Sequence, residues 1–230
     1  MSSRAVRLRI AILAALPREV APLVRDWAAP VVSRAEGTSI WESERAIVVC
    51  AGMGRKRITR ALELAESRGP LHSVISVGYA GALRKWMQID RVYWPAIVID
   101  DATGERFPCE DGEGILVTAD HAVGRDEKPR LAARRHADLV DMEAATVARL
   151  AKLRALPFRA LRAISDQVDD ELPDLSRFTD ERGGFQSATF AMYVALHPWL
   201  IPMTVRLGKQ SAQASQAIAQ ALLQILRQAE

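Results

Sequence analysis

The sequence predicts an α/β fold in which helices flank one mostly parallel β-sheet. Segments typical of strands alternate with segments typical of helices along most of the chain, an order that builds parallel sheets covered by helices. The chain has 230 residues, of which 49% are hydrophobic, and a chain of that size buries one substantial core. We therefore expect a single domain over residues 1–230, with residues 185–230 as a helical extension at its C-terminal end.

The first third of the chain alternates apolar strand segments with helices. Strands are predicted over residues 6–16, 46–50 and 74–77. The first helix is expected to begin at Pro17, because proline suits the first turn of a helix, and to run to Trp27. A hairpin around Trp41 precedes the second strand. The second helix follows the turn AGMG at residues 51–54 and carries apolar residues at helical spacing.

The middle of the chain continues the alternation. The third strand is expected to end in a turn over residues 78–81, GYAG. Further strands are predicted over residues 92–99 and 115–118, separated by a polar and exposed loop over residues 100–114. An amphipathic helix is expected to close the chain.

Carboxylates lie at two junctions of this predicted sheet. Glu143 occupies a turn before a helix, and an apolar strand over residues 158–164 is followed directly by Ser165 and Asp166. Ligands of α/β folds bind outside the carboxyl ends of strands, so Asp166 is well placed for chemistry. The alternative is that Asp166 only starts a turn or caps a helix.

Charge and cysteine content narrow the classes of function. The net charge is +3 and basic residues are spread among acidic ones, which suits an anionic ligand or a membrane surface but gives no reason to expect a nucleic-acid partner. Cys50 and Cys109 lack metal-ligand spacing, as do the four histidines, so we expect no metal and a cytoplasmic location. The apolar run at residues 10–16 is too short for a signal peptide, and no segment reaches the roughly 20 apolar residues that span a bilayer.

Six motifs in a fixed order resemble one known superfamily. They are IAILAALPREV, CAGMGRKR, SVGYAGAL, GILVTAD, VDMEAATVA and RAISDQVDD, spread over residues 10–170. The set resembles the nucleoside phosphorylase superfamily, in the branch that contains the methylthioadenosine/S-adenosylhomocysteine nucleosidases. The resemblance implies a three-layer α/β/α fold with a central mixed, mostly parallel twisted sheet. It also implies an enzyme that cleaves N-ribosidic bonds, works without a cofactor and forms a homo-oligomer.

Two features resemble a narrower group, the hopanoid-associated phosphorylases, which are implicated in removing adenine from adenosylhopane. The segment between the strand at residue 92 and the MEAA motif is short, and the tail ALHPWLIPMTVRLGKQSAQAS is similar to that group. This second resemblance implies a lipid-linked adenosine as substrate.

The superfamily resemblance assigns roles to four residues. Asp166 is the general acid or hydrogen-bond partner at purine N7, with Ser165 beside it. Glu143 accepts hydrogen bonds from the 2′- and 3′-hydroxyls of ribose, a task that suits a carboxylate because both its oxygens are acceptors. Met142 packs on the sugar, although simple core packing is an equal alternative for this residue.

The nucleophile is left open between water and inorganic phosphate as co-substrate. In the nucleosidases a glutamate after the first strand activates water, and Glu19 occupies that position. In the phosphorylases an arginine in this region binds phosphate, and Arg18 lies there, with Arg55 at a helix start as a second candidate. The alternatives are a first-turn helix residue for Glu19 and solvated surface charges for both arginines.

The purine pocket departs from the better-known patterns. Tyr79 stands where the relatives commonly have serine, beside the substrate-binding candidates Ala80 and Gly81. The base is expected near Ala122 and Val123, where a nucleosidase usually has a stacking phenylalanine in place of Ala122. An alanine side chain offers no ring for stacking, and Tyr79 is a candidate to replace that phenylalanine.

The composition of the C-terminal stretch is compatible with several kinds of partner. Residues 185–209 are apolar and aromatic with adjacent basic residues, which suits a polycyclic lipid or peripheral contact with the inner face of a membrane. The alternative is that they close the core or a dimer interface. Three functions remain: an enzyme that releases adenine from a lipid-linked adenosine; a soluble methylthioadenosine/S-adenosylhomocysteine nucleosidase or purine nucleoside phosphorylase; and a catalytically weak nucleoside-binding module.

Overall fold

The computed structural model describes residues 8–33, 37–89, 91–170 and 201–228. The strands in these ranges are β1 (Arg9–Ala14), β2 (Val31–Ser33), β3 (Thr38–Glu42), β4 (Ala46–Cys50), β5 (Leu71–Ala82), β6 (Val92–Tyr93), β7 (Ile97–Asp100), β8 (Arg106–Pro108), β9 (Ile115–Thr118), β10 (Leu139–Asp141) and β11 (Phe158–Asp166). The helices are α1 (Pro17–Val24), α2 (Arg55–Glu66), α3 (Lys128–Arg135), α4 (Ala144–Leu153) and α5 (Ile201–Gln228).

All these strands form one mixed sheet with parallel pairing at its centre. The order is β2-β3-β4-β1-β5-β10-β9-β7-β8, and β11 lies on the other side of β5, followed by β6. The pairs β4–β1, β1–β5, β5–β11, β10–β9 and β9–β7 are parallel. Antiparallel pairing occurs at the edges and where β10 joins the end of β5. The predicted mixed, mostly parallel sheet is confirmed.

Helices cover the sheet on both faces, so the predicted three-layer α/β/α arrangement is confirmed. On one face α1 and α5 pack together against β1, β4 and β11 through buried aliphatic residues such as Leu23 and Leu222. On the other face α2 and α4 pack through residues such as Leu62 and Val147. Cys50 is buried at the end of β4 and belongs to the core.

The GYAG segment is strand, which corrects the predicted turn. β5 runs through it to Ala82, and its final residues pair with β11 on one side and with β10 on the other. Paired neighbours on both sides satisfy the backbone N–H and C=O groups, so tertiary pairing outweighs the turn preference of glycine.

The region after β5 also differs from the sequence-based expectation. The strand predicted over residues 92–99 is interrupted at Pro95, which lacks the N–H needed to continue a ladder, and forms β6 and β7. The loop predicted to be exposed contains β8, and within it Asp100 and Phe107 are buried. Helix α3 and strand β10 were not predicted, because both are short and lie in a strongly charged segment.

The last helix, α5, supports only part of the C-terminal prediction. Its 28 residues follow an amphipathic pattern, with Ala214, Ile218 and Leu222 buried against α1. The preceding apolar segment, residues 185–200, lies outside the described residues. Within the described ranges, none of the helices is long and apolar enough to cross a membrane.

Candidate active site

The carboxyl ends of the central strands surround a cavity of about 150 Å³. The segments that follow β1, β4, β9 and β10 contribute to its wall, together with the last residues of β5 and β11. This edge of the sheet is where α/β folds bind ligands. The predicted site residues that line the cavity are Arg18, Glu19, Tyr79, Ala80, Gly81, Ala122, Val123, Met142, Glu143, Ser165 and Asp166.

Glu19 is a buried carboxylate in the first turn of α1. One of its oxygens accepts hydrogen bonds from the backbone N–H groups of Ala15 and Leu16, both at 2.9 Å. Burial raises the pKa of Glu19 above its ordinary value, and the hydrogen bonds from Leu16 and Ala15 and the charges of Arg162 and Arg18 oppose that rise. A carboxyl group with a raised pKa in a cleft is suited to accept and release a proton during a reaction.

Glu143 is a second carboxyl group in the same cavity, at the N-terminal end of α4. It accepts a hydrogen bond at 3.2 Å from the backbone N–H of Gly54. Gly54 has a positive φ of 94°, a conformation that favours glycine, so the AGMG turn positions this donor. Burial, together with the charges of Asp141 and Glu19, raises the pKa of Glu143 to about 8.

Below these carboxyl groups lies a buried ion pair that sequence analysis missed. Arg162 on β11 is 1% exposed and donates to Asp141 at 2.5 and 3.0 Å. It also donates to Ser76 on β5, and Asp141 accepts from the hydroxyl of Thr118 at 2.6 Å. The pair therefore ties β5, β9, β10 and β11 together under the cavity. The arginine lies inside an apolar strand segment, and that unusual placement was the signal available in the sequence.

Asp166 is held by a buried lysine, Lys128, which was also missed. The Nζ atom of Lys128 donates to Asp166 Oδ2 at 2.5 Å, and the lysine is fully buried. The hydroxyl of Ser165 donates to Asp166 Oδ1 at 2.7 Å. Pairing between β11 and β5 shifts register between Ile164 and Asp166, and a bulge of this kind re-aims the side chains that follow it. In sequence Lys128 is one charge in a charged run, so nothing distinguished it.

Tyr79 connects the cavity to α5. Its hydroxyl lies 2.6 Å from the hydroxyl of Ser215 on α5, and the guanidinium of Arg18 lies 5.9 Å from the centre of its ring. Burial raises the pKa of Tyr79. A second cavity, of about 570 Å³, adjoins the first. The two cavities share Arg18, Tyr79, Ser165 and Asp166, and α5 residues that include Leu207 and Gln216 line the second one.

Arg55 is placed away from the cavity wall. Its guanidinium is ion-paired with the buried Asp100 at 3.2 Å, and Arg149 contacts the same carboxylate at 2.6 Å. The structure thus gives Arg55 a carboxylate partner, and its phosphate-binding role stays a prediction. Arg18 remains at the rim of both cavities.

His121 lines the cavity from the loop after β9. Its ring nitrogens lie 2.7 Å from Asp120 and 2.9 Å from Glu127. Hydrogen bonds with these two carboxylates raise the pKa of His121. Among the described residues, no group of His, Cys, Asp and Glu side chains is arranged to hold a metal ion.

Comparisons with known proteins agree with this architecture. The family model of the phosphorylase superfamily matches residues 105–195, which supports the predicted superfamily resemblance. A search of curated protein sequences found no match.

Solved structures with the same fold include three hydrolases of nucleosides. The methylthioadenosine/S-adenosylhomocysteine nucleosidase of Colwellia psychrerythraea, solved with adenine, has a TM-score of 0.71 and 15% identity over 97% of this chain and 96% of its own. The corresponding enzyme of S. pneumoniae has a TM-score of 0.70 and 18% identity over 97% and 100%. Futalosine hydrolase of Helicobacter pylori has a TM-score of 0.69 and 17% identity over 96% and 98%. At these identities the likeness shows a shared fold.

Proposed function

We propose that this protein is an enzyme that cleaves the N-ribosidic bond of an adenine nucleoside and releases adenine. The observation that carries the proposal is the convergence of Glu19, Glu143 and Asp166 on one cavity at the carboxyl ends of the strands. These are the three carboxyl groups that the superfamily resemblance assigns to the nucleophile, the ribose and the purine.

Each carboxyl group has a distinct task in this reaction. Glu143 would hold the ribose hydroxyls and Asp166 would face N7 of the purine. A water oxygen would bond to C1′ while the bond from C1′ to N9 breaks and its electron pair passes to the purine. Glu19 would take the proton that water releases, and Asp166 would relay a proton from solvent to N7 of the purine.

The surroundings of Glu19, the proposed general base, favour hydrolysis over phosphorolysis. Glu19 is buried, accepts two backbone hydrogen bonds and has a raised pKa, as a general base for water requires. Arg55, one of the two arginines considered for phosphate, is engaged by Asp100. Arg18 is the remaining candidate, so phosphate stays an outcome for the experiment to decide.

The second cavity supports a substrate with an extended substituent. It opens from the catalytic cavity beside Tyr79 and runs along α5 for the length of several turns. A lipid-linked adenosine, as in adenosylhopane, would use this space. A smaller 5′-thio substituent, as in methylthioadenosine or S-adenosylhomocysteine, is the alternative. Formation of a homo-oligomer and peripheral membrane contact through residues 185–209 remain predictions.

Adenine release tests the proposal directly. We would measure it by chromatography from adenosine, methylthioadenosine and an adenosylated hopanoid in detergent, each with and without phosphate. We expect release that does not need phosphate, and Asp166→Asn should lower kcat by about 10²- to 10⁴-fold because the facing group at N7 is lost.

Each outcome separates the candidate functions. Preference for the hopanoid would identify a lipid-linked substrate, and preference for methylthioadenosine would identify the soluble nucleosidase. A requirement for phosphate would assign the nucleophile to an anion held by Arg18. Binding of adenine with no release from any substrate would contradict the enzyme and support the nucleoside-binding module.

A further inference from the structure

A hydroxyl group on α5 replaces a backbone donor that α1 lacks. In an α-helix each carbonyl accepts a hydrogen bond from the N–H group four residues further on, and for Arg18 that residue is Pro22, which has no N–H. The hydroxyl of Ser215 lies 2.8 Å from this carbonyl oxygen and is buried. Ser215 therefore joins α5 to the first turn of α1, next to the residue that provides the proposed general base.

Tyr79 adds β5 to this contact. The single proton of the Ser215 hydroxyl has two carbonyl oxygens within reach, that of Arg18 at 2.8 Å and that of Ser211 at 3.0 Å. Whichever carbonyl accepts it, the Ser215 oxygen is left as an acceptor, so the Tyr79 hydroxyl at 2.6 Å is the donor. The proton of Tyr79 is thus committed to α5, and Tyr79 offers a ligand its ring.

The ring of Tyr79 stands at the junction of the two cavities. Tyr79 lines both the catalytic cavity and the second cavity. It packs against the core that α1 and α5 share, and the guanidinium of Arg18 lies 5.9 Å from the centre of its ring. Tyr79 is therefore a carbon-rich wall between the cavities, and its contacts with two helices hold it in place.

Beyond this junction the second cavity has an uncharged lining. Of the described residues that line it, only Arg18 and Asp166 are charged, and both also line the catalytic cavity. The other side chains are apolar, as at Pro22 and Leu207, or carry neutral hydroxyl and amide groups. A charged group that entered this space would lose water without gaining a partner of opposite charge, whereas an apolar chain would gain by leaving water.

Gly208 leaves open space on the α5 side of the second cavity. A Cβ atom added there would meet no described part of the protein within 4 Å. Glycine within a helix is less favourable than alanine, so helix formation does not explain its presence in α5. A larger side chain at this position would extend into the cavity without displacing the protein around it.

We infer that Tyr79, held by Ser215, is a specificity-determining residue that makes the site select nucleosides with an apolar 5′ substituent over nucleosides with a charged one. The substituent passes the ring of Tyr79 and lies in the second cavity along α5. This inference rests on the proposed function and narrows its substrate class. It separates an adenosine with a lipid or alkylthio substituent from S-adenosylhomocysteine, which carries an ammonium group and a carboxylate.

A matched pair of substrates tests the selection. 5′-Butylthioadenosine and S-adenosylhomocysteine carry substituents of equal chain length, and only the second is charged. Adenine release is measured from both and from adenosine, and kcat/KM values are compared as ratios within each protein, so that any change in the folded fraction cancels. We expect the parent to prefer butylthioadenosine over S-adenosylhomocysteine by about tenfold or more. A parent that cleaves the two equally well would overturn the inference.

Two leucine variants test where the substituent lies. Gly208→Leu fills part of the second cavity, and Gln213→Leu places the same side chain at an exposed position of α5 that does not line it. Each methylene group that the parent buries is worth up to about fourfold, so Gly208→Leu should lower the ratio of butylthioadenosine to adenosine by about tenfold or more. Gln213→Leu should keep the parental ratio. Equal ratios in the two variants would contradict a substituent lying along α5.

Tyr79→Phe and Ser215→Ala test the contact that holds the ring. Each removes the hydrogen bond between the two side chains and should lower the ratio of butylthioadenosine to S-adenosylhomocysteine by about fivefold, the value of one neutral hydrogen bond. Because both act through the same bond, the double variant should lose no more than Ser215→Ala alone. Additive losses, or no loss, would overturn the role of this contact. Failure of the parent to release adenine from any of the three nucleosides would refute the proposed function, whereas release without preference would refute only this inference.

Discussion

Four carboxyl groups line the catalytic cavity, and they fall into two pairs with opposite surroundings. Asp141 and Asp166 are each bound by a buried cation, Arg162 in one case and Lys128 in the other. Glu19 and Glu143 instead accept hydrogen bonds from backbone N–H groups, and the pKa of each is raised.

The difference separates carboxylates that are held by a neighbouring cation from carboxyl groups whose pKa is raised by burial. A buried carboxylate with a cation at hydrogen-bond distance is fixed in position by that contact, and breaking such a pair is costly. A buried carboxyl group whose pKa is raised is suited to exchange a proton during a reaction. The pair formed by Glu19 and Glu143 is therefore the reactive side of the cavity. The side formed by Asp141 and Asp166 is its fixed frame.

Glu19→Gln should produce the largest effect, because it removes the proposed general base. We expect kcat for adenine release to fall by about 10²- to 10⁴-fold, while adenine binding stays near that of the parent. The measurement is steady-state adenine release together with calorimetry. Glu63→Gln, at an exposed site on α2, is the matched control. A variant at Glu19 with nearly parental kcat would show that the reactive group lies elsewhere.

Arg162→Met should produce the next largest effect, on stability. It leaves Asp141 buried without its cation, and breaking a buried pair typically costs about 3–5 kcal/mol. Urea unfolding at pH 7 would measure the loss. Arg60→Met removes an exposed arginine that pairs with Glu63 on α2, and should cost less than about 1 kcal/mol. Similar losses in the two variants would contradict the assignment of the fixed frame.

Much of the fold could be predicted because its core elements carry strong local patterns. Apolar runs or helical spacing, bounded by turn residues, mark these elements in the sequence: β4, α2, β9, α4 and β11. β10 is only three residues long, and its place is set by pairing with β9 and with the end of β5, which no local pattern reveals. The continuation of β5 through GYAG depends on the same long-range pairing.

The reactive pair and Asp166 could be predicted, whereas the buried cations of the fixed frame could not. Glu19 and Glu143 stand in motifs that the superfamily resemblance recognises, and Asp166 directly follows a predicted strand, where chemistry is expected. Lys128 and Arg162 are cations that a sequence describes only as charged. Their burial results from the packing of α3 and β11 around the cavity, and contacts such as that from Lys128 to Asp166 join residues 38 positions apart.

The pH dependence of stability offers the finest test of the difference between the two pairs. In the folded protein Glu143 keeps its proton up to a pKa of about 8, compared with an ordinary value of 4.5. Between these values the folded state binds more protons than the unfolded state, so the free energy of unfolding falls as pH rises. The contribution is fully present below pH 4.5 and is lost as the pH passes 8, with a slope of up to roughly 1.4 kcal/mol per pH unit.

Glu143→Gln should remove this contribution. Urea unfolding of the parent and the variant at several values between pH 5.5 and 8.5 would show a shallower decline in the variant, with the remainder arising from Glu19, whose pKa is raised in the same direction. Glu63→Gln should keep the parental slope, since its side chain is exposed. A slope that Glu143→Gln leaves unchanged would mean that Glu143 is ionised in the folded protein. Glu19 alone would then carry the proton chemistry of the cavity.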